Sequence, residues 1–311
     1  MNTHSSSLQV KPVMVGVNGS HPGPVLVDFA VAEAVLLGVP LVVTHVWPGR
    51  YTGAFRGRGA VPSPADAQRL LTLSAERARM IAPSLAVSTE LLDGGAGDVL
   101  SRATENASLL VVGHREEAHP RSAWGSTTAY LAHHTACPLM IYRGSVPADG
   151  PVVVSASARL DADATLAYAF ARARQSGASL VAVHMWMRPG AQDGVPPVVA
   201  AGGYAQEQAA AERTLTSALA PLVARFPDVA VERLVVHDRD MANTLERALR
   251  RGRLMVAGTG RSGAFAEILC GAADSRIGRR STCPTVLIPS ALPARAGAGR
   301  GAADGVRGEI R

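Results

Sequence analysis

Leu41–Trp47 reads LVVTHVW, and Leu180–Trp186 reads LVAVHMW. His45 aligns with His184 and Trp47 with Trp186, so these stretches mark two copies of one unit. Short β-branched runs of this kind read as buried parallel strands. Upstream, each copy opens with a first strand, Pro12 to Val17 and Pro151 to Val154. A helix lies between the first and second strands. Its expected apolar stripe is Val25, Phe29, Ala32 and Leu36 in copy one, and Leu166, Phe170 and Ala173 in copy two. Gly38 and Gly177 mark the two helix ends. Downstream come a Gly/Pro-rich loop and a longer helix, with Leu70, Leu73 and Ile81 as one stripe and Leu215, Leu219, Leu222 and Phe226 as the other. A third strand (Val87 to Leu92, Val229 to Val236) leads to a helix near Asp98, a candidate N-cap, or near Met241. The fourth strands end in Gly113 and Gly258, and the fifth follow Cys-Pro at Leu139 to Tyr142 and Thr285 to Ile288. Strands alternating with helices imply a parallel sheet covered on both faces. Five strands per copy point to two tandem flavodoxin-like α/β domains with that fold's strand order.

The expected boundaries are 1–10 for a flexible N-terminus, 11–144 and 150–290 for the domains, and 291–311 for a disordered Gly/Ala/Arg-rich tail. The 311 residues suffice for two domains, and 47% hydrophobic with 18% charged residues is globular composition. No apolar run has the length of a membrane helix, and Met1 to Val10 lacks a signal pattern, so a cytoplasmic protein without membrane contact is expected. The net charge of +6 is spread over scattered arginines without a basic run or aromatic stripe, so nucleic acid is not an expected partner. Three cysteines (Cys137, Cys270, Cys283), none in C-x-x-C spacing, argue against a disulfide framework.

The chain resembles the universal stress protein family over residues 11 to 290. In copy one the resemblance rests on GVNGS (Gly16–Ser20), the HVW of the second strand, VVG at Val111–Gly113, Gly125-Ser126, and HHTACP at His133–Pro138. In copy two it rests on HMW at His184–Trp186, VAGTGRSGAFAEILCG at Val256–Gly271, and STCP at Ser281–Pro284. Each fragment is weak by itself; their order and spacing, twice over, are specific. The resemblance implies adenine-nucleotide alpha-hydrolase-like domains whose ATP-binding members place an acidic residue after strand one and a small apolar residue against adenine in strand two. A G-x2-G-x9-G-[ST] loop after strand four wraps the phosphates. Glycines let backbone amides approach phosphate, and a helix N-terminus adds free donors.

Copy one keeps part of this pattern. The resemblance assigns Gly16, Val17 and Asn18 to the end of strand one, with Asn18 where the family has Asp, and Val46 to the adenine side. It assigns Gly113, Gly125, Ser126, Thr127 and Thr128 to the phosphate end. Glu116 replaces the inner glycine, and the loop is one residue short. A carboxylate about 4 Å from a phosphate costs roughly 1 kcal/mol per charge pair in water and about 4 near a protein surface. Arg115, Arg121, Arg50, Arg56, Arg58 or a magnesium ion could offset this. Copy two keeps Gly258 and Gly271 but has Arg261 for the inner glycine, Ala272 for the hydroxyl residue, Ser157 for the acid and Met185 at the adenine position. It is expected to bind no nucleotide, with Arg261 propping the empty loop.

The remaining candidates favour structural readings. His133 and His134 are adjacent rather than at i, i+4, which suits a helix end better than a metal. His114 and His119 are expected at the surface, and His45 and His184 as hydrogen-bonded core residues. Ser126 has no visible base and Glu116-Glu117 do not form an acid/base pair, so an enzyme is not expected. Two functions stay open: a regulatory protein with ATP in copy one acting on a protein partner, and a nucleotide-free interaction scaffold. ATP hydrolysis ranks last. The two copies are expected to pair through their fifth strands, as the family's dimers do, and a further homodimer is allowed.

Overall fold

A computed structural model describes residues 10–19, 23–47, 63–113, 126–144, 149–156, 163–186, 203–237, 241–259 and 283–289. The first repeat runs β1 (Val13–Gly16), α1 (Gly23–Leu37), β2 (Leu41–Trp47), α2 (Pro64–Ile81), β3 (Val87–Asp93), α3 (Ala96–Ala103), β4 (Leu109–Gly113), α4 (Ser126–His134) and β5 (Leu139–Tyr142). The second runs β6 (Val152–Ala156), α5 (Asp163–Gln175), β7 (Leu180–Trp186), α6 (Gly203–Arg225), β8 (Val231–His237), α7 (Met241–Arg251), β9 (Leu254–Gly258) and β10 (Thr285–Ile288). The final helix expected in copy two, its Arg261 loop and the C-terminal segment fall outside the described residues.

Local chemistry sets the element ends. Ser63 caps α2: its side chain accepts from the Asp66 amide while the Asp66 carboxylate accepts from the Ser63 backbone amide, and Pro64 opens the helix. Helices α1 and α5 stop alike. Gly38 (φ +65°) and Gly177 (φ +61°) adopt the left-handed conformation open to glycine. In each, the next residue's amide reaches back five residues, Val39 to Ala34 at 3.1 Å and Ala178 to Ala173 at 2.9 Å.

Among the described residues, ten strands form one sheet in the order β3-β2-β1-β4-β5-β10-β9-β6-β7-β8. All neighbours are parallel except β5 and β10, which pair antiparallel with Met140 opposite Val286. The doubly wound α/β class is as expected, but each repeat has the order 3-2-1-4-5, not the flavodoxin order 2-1-3-4-5. The flavodoxin order would put the third strand in the sheet centre. Here the third strands carry Ser88, Thr89 and Glu90, or Glu232 and Arg233, all exposed or nearly so, and such side chains belong on an edge.

Helices α1, α2, α5 and α6 cover one face through Leu26, Val31, Leu71, Phe170 and Leu215. Helices α3, α4 and α7 cover the other through Leu100, Leu131 and Leu249. Each layer is continuous across both repeats because β5 and β10 join the sheets. A fully buried side chain such as Phe170 or Leu71 contributes roughly 1.5–3 kcal/mol.

Three local expectations change. In copy one, the stripe read on α1 faces largely outward: Val25 is 46% exposed, and Leu26, Val27, Ala30, Val31 and Ala34 are buried instead. Helix α1 is apolar nearly all round, so its period does not single out a face. On α2, Leu73 and Ile81 are exposed, while small residues, Ala67, Ala75 and Ala78, flank buried Leu71. Gly95, not Asp98, is the N-cap of α3; Asp98 lies in the first turn and pairs with Arg102 at 2.8 Å. The stripes of α5 and α6 are as expected, with Leu166, Phe170, Ala173, Leu215, Leu219 and Phe226 buried. No described helix is long and apolar enough to cross a membrane.

Candidate functional site

In the first repeat the chain steps outward from β1 to β2 and β3, then returns to the other side of β1 as β4. The helices that follow the adjacent strands β1 and β4 pack on opposite faces, α1 in one layer and α4 in the other, which is the topological switch point where doubly wound sheets form a ligand crevice at the strands' carboxyl ends. Gly16 lies opposite Val112, which brings Val17 alongside Gly113. Gly16 faces the α3/α4 layer: a Cβ there would meet Val112 Cγ1 at 3.6 Å and Leu100 Cδ1 at 3.9 Å. Val46 packs in the same layer with Leu92. Val17 is buried in the opposite layer, and Asn18 and Gly19 (φ +72°) are exposed at the crevice rim. A Cβ on Gly113 would meet Leu26 Cδ2 at 3.5 Å, so α1 walls the other side.

Helix α4 begins at Ser126, and its first-turn amides lack intrahelical partners. Thr128 is buried and Thr127 half-buried in that turn. The helix leans tightly on α3, since a Cβ on Gly97 would meet Tyr130 Cδ1 at 2.8 Å. Gly125, the Ser126 side chain, His114, Arg115, Glu116, Glu117, His119 and Arg121 lie outside the described residues, as do Arg50, Arg56 and Arg58. The structure thus brings Gly16, Val17, Asn18, Val46 and Gly113 to one pole of the first sheet, with Thr127 and Thr128 opening α4.

The histidines of the second strands hold this pole together. His45 Nδ1–H donates to the Val17 carbonyl at 2.7 Å, and His184 Nδ1–H donates to the Ala156 carbonyl at 2.8 Å. A carbonyl only accepts, so the ring proton sits on Nδ1 in both. The Val17 amide donates to the Thr44 carbonyl at 2.9 Å, closing the same corner. His133 and His134 are exposed at the end of α4, where His134 stacks on Tyr130 with centroids 4.0 Å apart. Among the described residues no group of three or more His, Cys, Asp or Glu could hold a metal.

One residue of this corner was not singled out from the sequence. Thr44 lies opposite Gly16 and, by strand alternation, faces the Val46 layer. It is fully buried, and its hydroxyl has no hydrogen-bond partner among the described residues. The signal was available, because Val183 holds the matching place in LVAVHMW. Copy two differs in other ways. Thr165 takes the place of Leu26, and a Cβ on Gly258 would meet its Oγ1 at 3.0 Å. Trp186 meets His237 edge-on with centroids 4.8 Å apart, where copy one has Asp93 opposite Trp47. Ser157, Met185's side chain, Gly271 and Ala272 lie outside the described residues.

The family model described as "Universal stress protein family" matches twice, over residues 9–143 and 151–289. A universal stress protein of Mycolicibacterium smegmatis is 28% identical over 293 residues, covering 89% of this chain and 96% of that one. Universal stress protein Rv2623 of Mycobacterium tuberculosis is 27% identical, covering 94% of this chain and 100% of its own. The crystal structure of a universal stress protein from Archaeoglobus fulgidus superposes with a TM-score of 0.61 at 16% identity, covering 90% of this chain and 97% of that one, which shows a common fold. Two matched units, a paired five-stranded topology and relatives of nearly equal length lead to one conclusion: the chain is a two-domain member of the universal stress protein family.

Proposed function

We propose that this protein is a regulatory nucleotide binder whose first repeat takes ATP and whose second repeat takes none. The crevice between β1 and β4 carries this reading. Side-chain-free Gly16 and Gly113 end its two strands, the helix that follows β4 opens on Ser126, Thr127 and Thr128, and the buried Thr44 hydroxyl beneath Gly16 has no partner among the described residues. Gly113 and the first amides of α4 would meet phosphates, with Gly125, Ser126, Thr127 and Thr128 continuing that contact. Asn18 would meet the nucleoside hydroxyls and Val46 the base. An unpaired buried hydroxyl is unfavourable by about 1–3 kcal/mol, so a polar atom or water reaching Thr44 past Gly16 would be stabilised. Magnesium, lacking a protein carboxylate cluster among the described residues, would be held chiefly by phosphate and hydroxyl oxygens. Occupancy would change the surface that this pole of the first repeat shows to a protein partner inside the cell.

Glu116 and the shortened loop favour a second reading, a nucleotide-free scaffold. Titration calorimetry of the full chain with ATP and magnesium separates the two. The first reading expects micromolar affinity with about one site per chain, lost in Gly113→Ala and Ser126→Ala. Gly113→Ala leaves the fold intact, because its methyl would make ordinary contact with Leu26. Absence of heat at high micromolar protein selects the scaffold.

A further inference from the structure

Glu33 on α1 and Arg172 on α5 form an ion pair across the two repeats, with Nη2 2.7 Å from the carboxylate. Both are buried, at 6% and 5% exposure. They stand 139 residues apart, the same separation as His45 from His184 and Trp47 from Trp186. Glu33 and Arg172 are therefore the same position of the repeat. Equivalent positions of two copies meet only on the two-fold axis that relates them. That axis is also marked in the sheet, where Met140 faces Val286, each three residues past its Cys. The pair is an expensive one. Arg172 Nε and Nη1 and the Tyr168 hydroxyl are buried without hydrogen-bond partners among the described residues. Well-packed apolar residues at such a site commonly match or exceed the stability of a buried ion pair.

We propose that Glu33 and Arg172 are a pairing lock, selecting first repeat with second repeat and rejecting first with first or second with second. About this axis, two first repeats would bury Glu33 against Glu33, and two second repeats Arg172 against Arg172. Only the mixed pair brings opposite charges together. The consequence reaches beyond one contact. A tandem chain whose repeats paired like with like would bind one neighbour through its first repeat and another through its second. Such contacts tie separate chains together, as closed dimers or as longer strings, in place of a self-contained monomer. The lock keeps the β5 and β10 edges satisfied within one chain, so self-association of intact chains must use another surface.

The test uses full-length variants and light-scattering mass across a concentration series, with thermal unfolding alongside. Glu33→Met/Arg172→Met should melt at or above wild type, yet show a mass that climbs with concentration where wild type does not respond in this way. Glu33→Arg and Arg172→Glu chains should each melt below wild type, and the double swap Glu33→Arg/Arg172→Glu should recover. Mixing the two single-reversal chains should produce a mixed species of at least doubled mass, because unlike chains then present complementary charges to each other. The proposal is overturned if the methionine variant tracks the wild-type mass and the mixture matches the sum of its separate components. It is equally overturned if the double swap melts no higher than either reversal.

Discussion

Replacing Gly19 by alanine tests whether the turn after β1 shapes the crevice. Gly19 has φ +72°, and among the described residues a Cβ there would touch only Leu70 Cδ2 at 3.6 Å, an ordinary contact. Sterically the methyl fits, so the penalty is conformational: about 1–2 kcal/mol for an L-residue held left-handed. Gly38 supplies the control. Its φ is +65°, nothing among the described residues lies within 4 Å of its Cβ position, and it ends α1 at the opposite pole of the sheet. Gly19→Ala and Gly38→Ala should lower stability by similar amounts, a few degrees at roughly 2–4 °C per kcal/mol. Only Gly19→Ala should weaken ATP binding, because partial relief of the strain shifts the turn and Asn18 with it. Relaxation that withdraws 1.4 kcal/mol of contact raises Kd about tenfold. Differential scanning calorimetry and ATP titration of both variants read the two effects. Equal affinities at equal stability loss would refute the role of the turn. Unchanged stability together with unchanged affinity in Gly19→Ala would refute the backbone geometry itself.

Burial pushes the Cys137 and Cys283 thiols up to about 12. With Cys270 changed to serine, the native protein should therefore resist alkylation near pH 8 and label only when unfolded; rapid native labelling would contradict this. Burial also raises the Glu33 carboxyl above its ordinary 4.5, against the pull of Arg172 and Arg253. The folded state then binds more protons than the unfolded state just above that value, so this group's contribution is full below 4.5 and falls as pH rises through the raised value. Wild type should gain stability over Glu33→Gln as pH drops from about 8 towards that window; a gap that shrinks instead would contradict it. Alanine usually improves a helix interior by about 1 kcal/mol over glycine. Gly97→Ala should destabilise instead, through its overlap with Tyr130, and Gly97→Ala/Tyr130→Ala should relieve the overlap. A Gly97→Ala protein that melts above wild type would show that the α3–α4 contact yields.

Repetition made much of the fold legible. The paired histidines of the second strands make the same bond to the same carbonyl position, and both Cys-Pro steps lead into buried fifth strands. Strand order was also encoded, in the polar Ser88–Glu90 and Glu232-Arg233, but period alone does not express it. The buried face of α1 was not legible, because so many of its residues are apolar. Glu33 reads as a solvated charge until the second repeat is placed against it. In the candidate site, the glycines and Asn18 were named by the family resemblance, not by composition or period. Thr44 was not, because its isolation depends on neighbours from β1 and on strand alternation.

We propose that the first repeat holds a nucleotide where β1 and β4 part, and that the second holds none. A crystal structure of the full chain grown with ATP and magnesium addresses it directly. Density is expected beside Gly16 and Gly113, with phosphates at the start of α4, and none beside Gly258. Nucleotide at the end of β9, or at neither pole under saturating ATP, would contradict it.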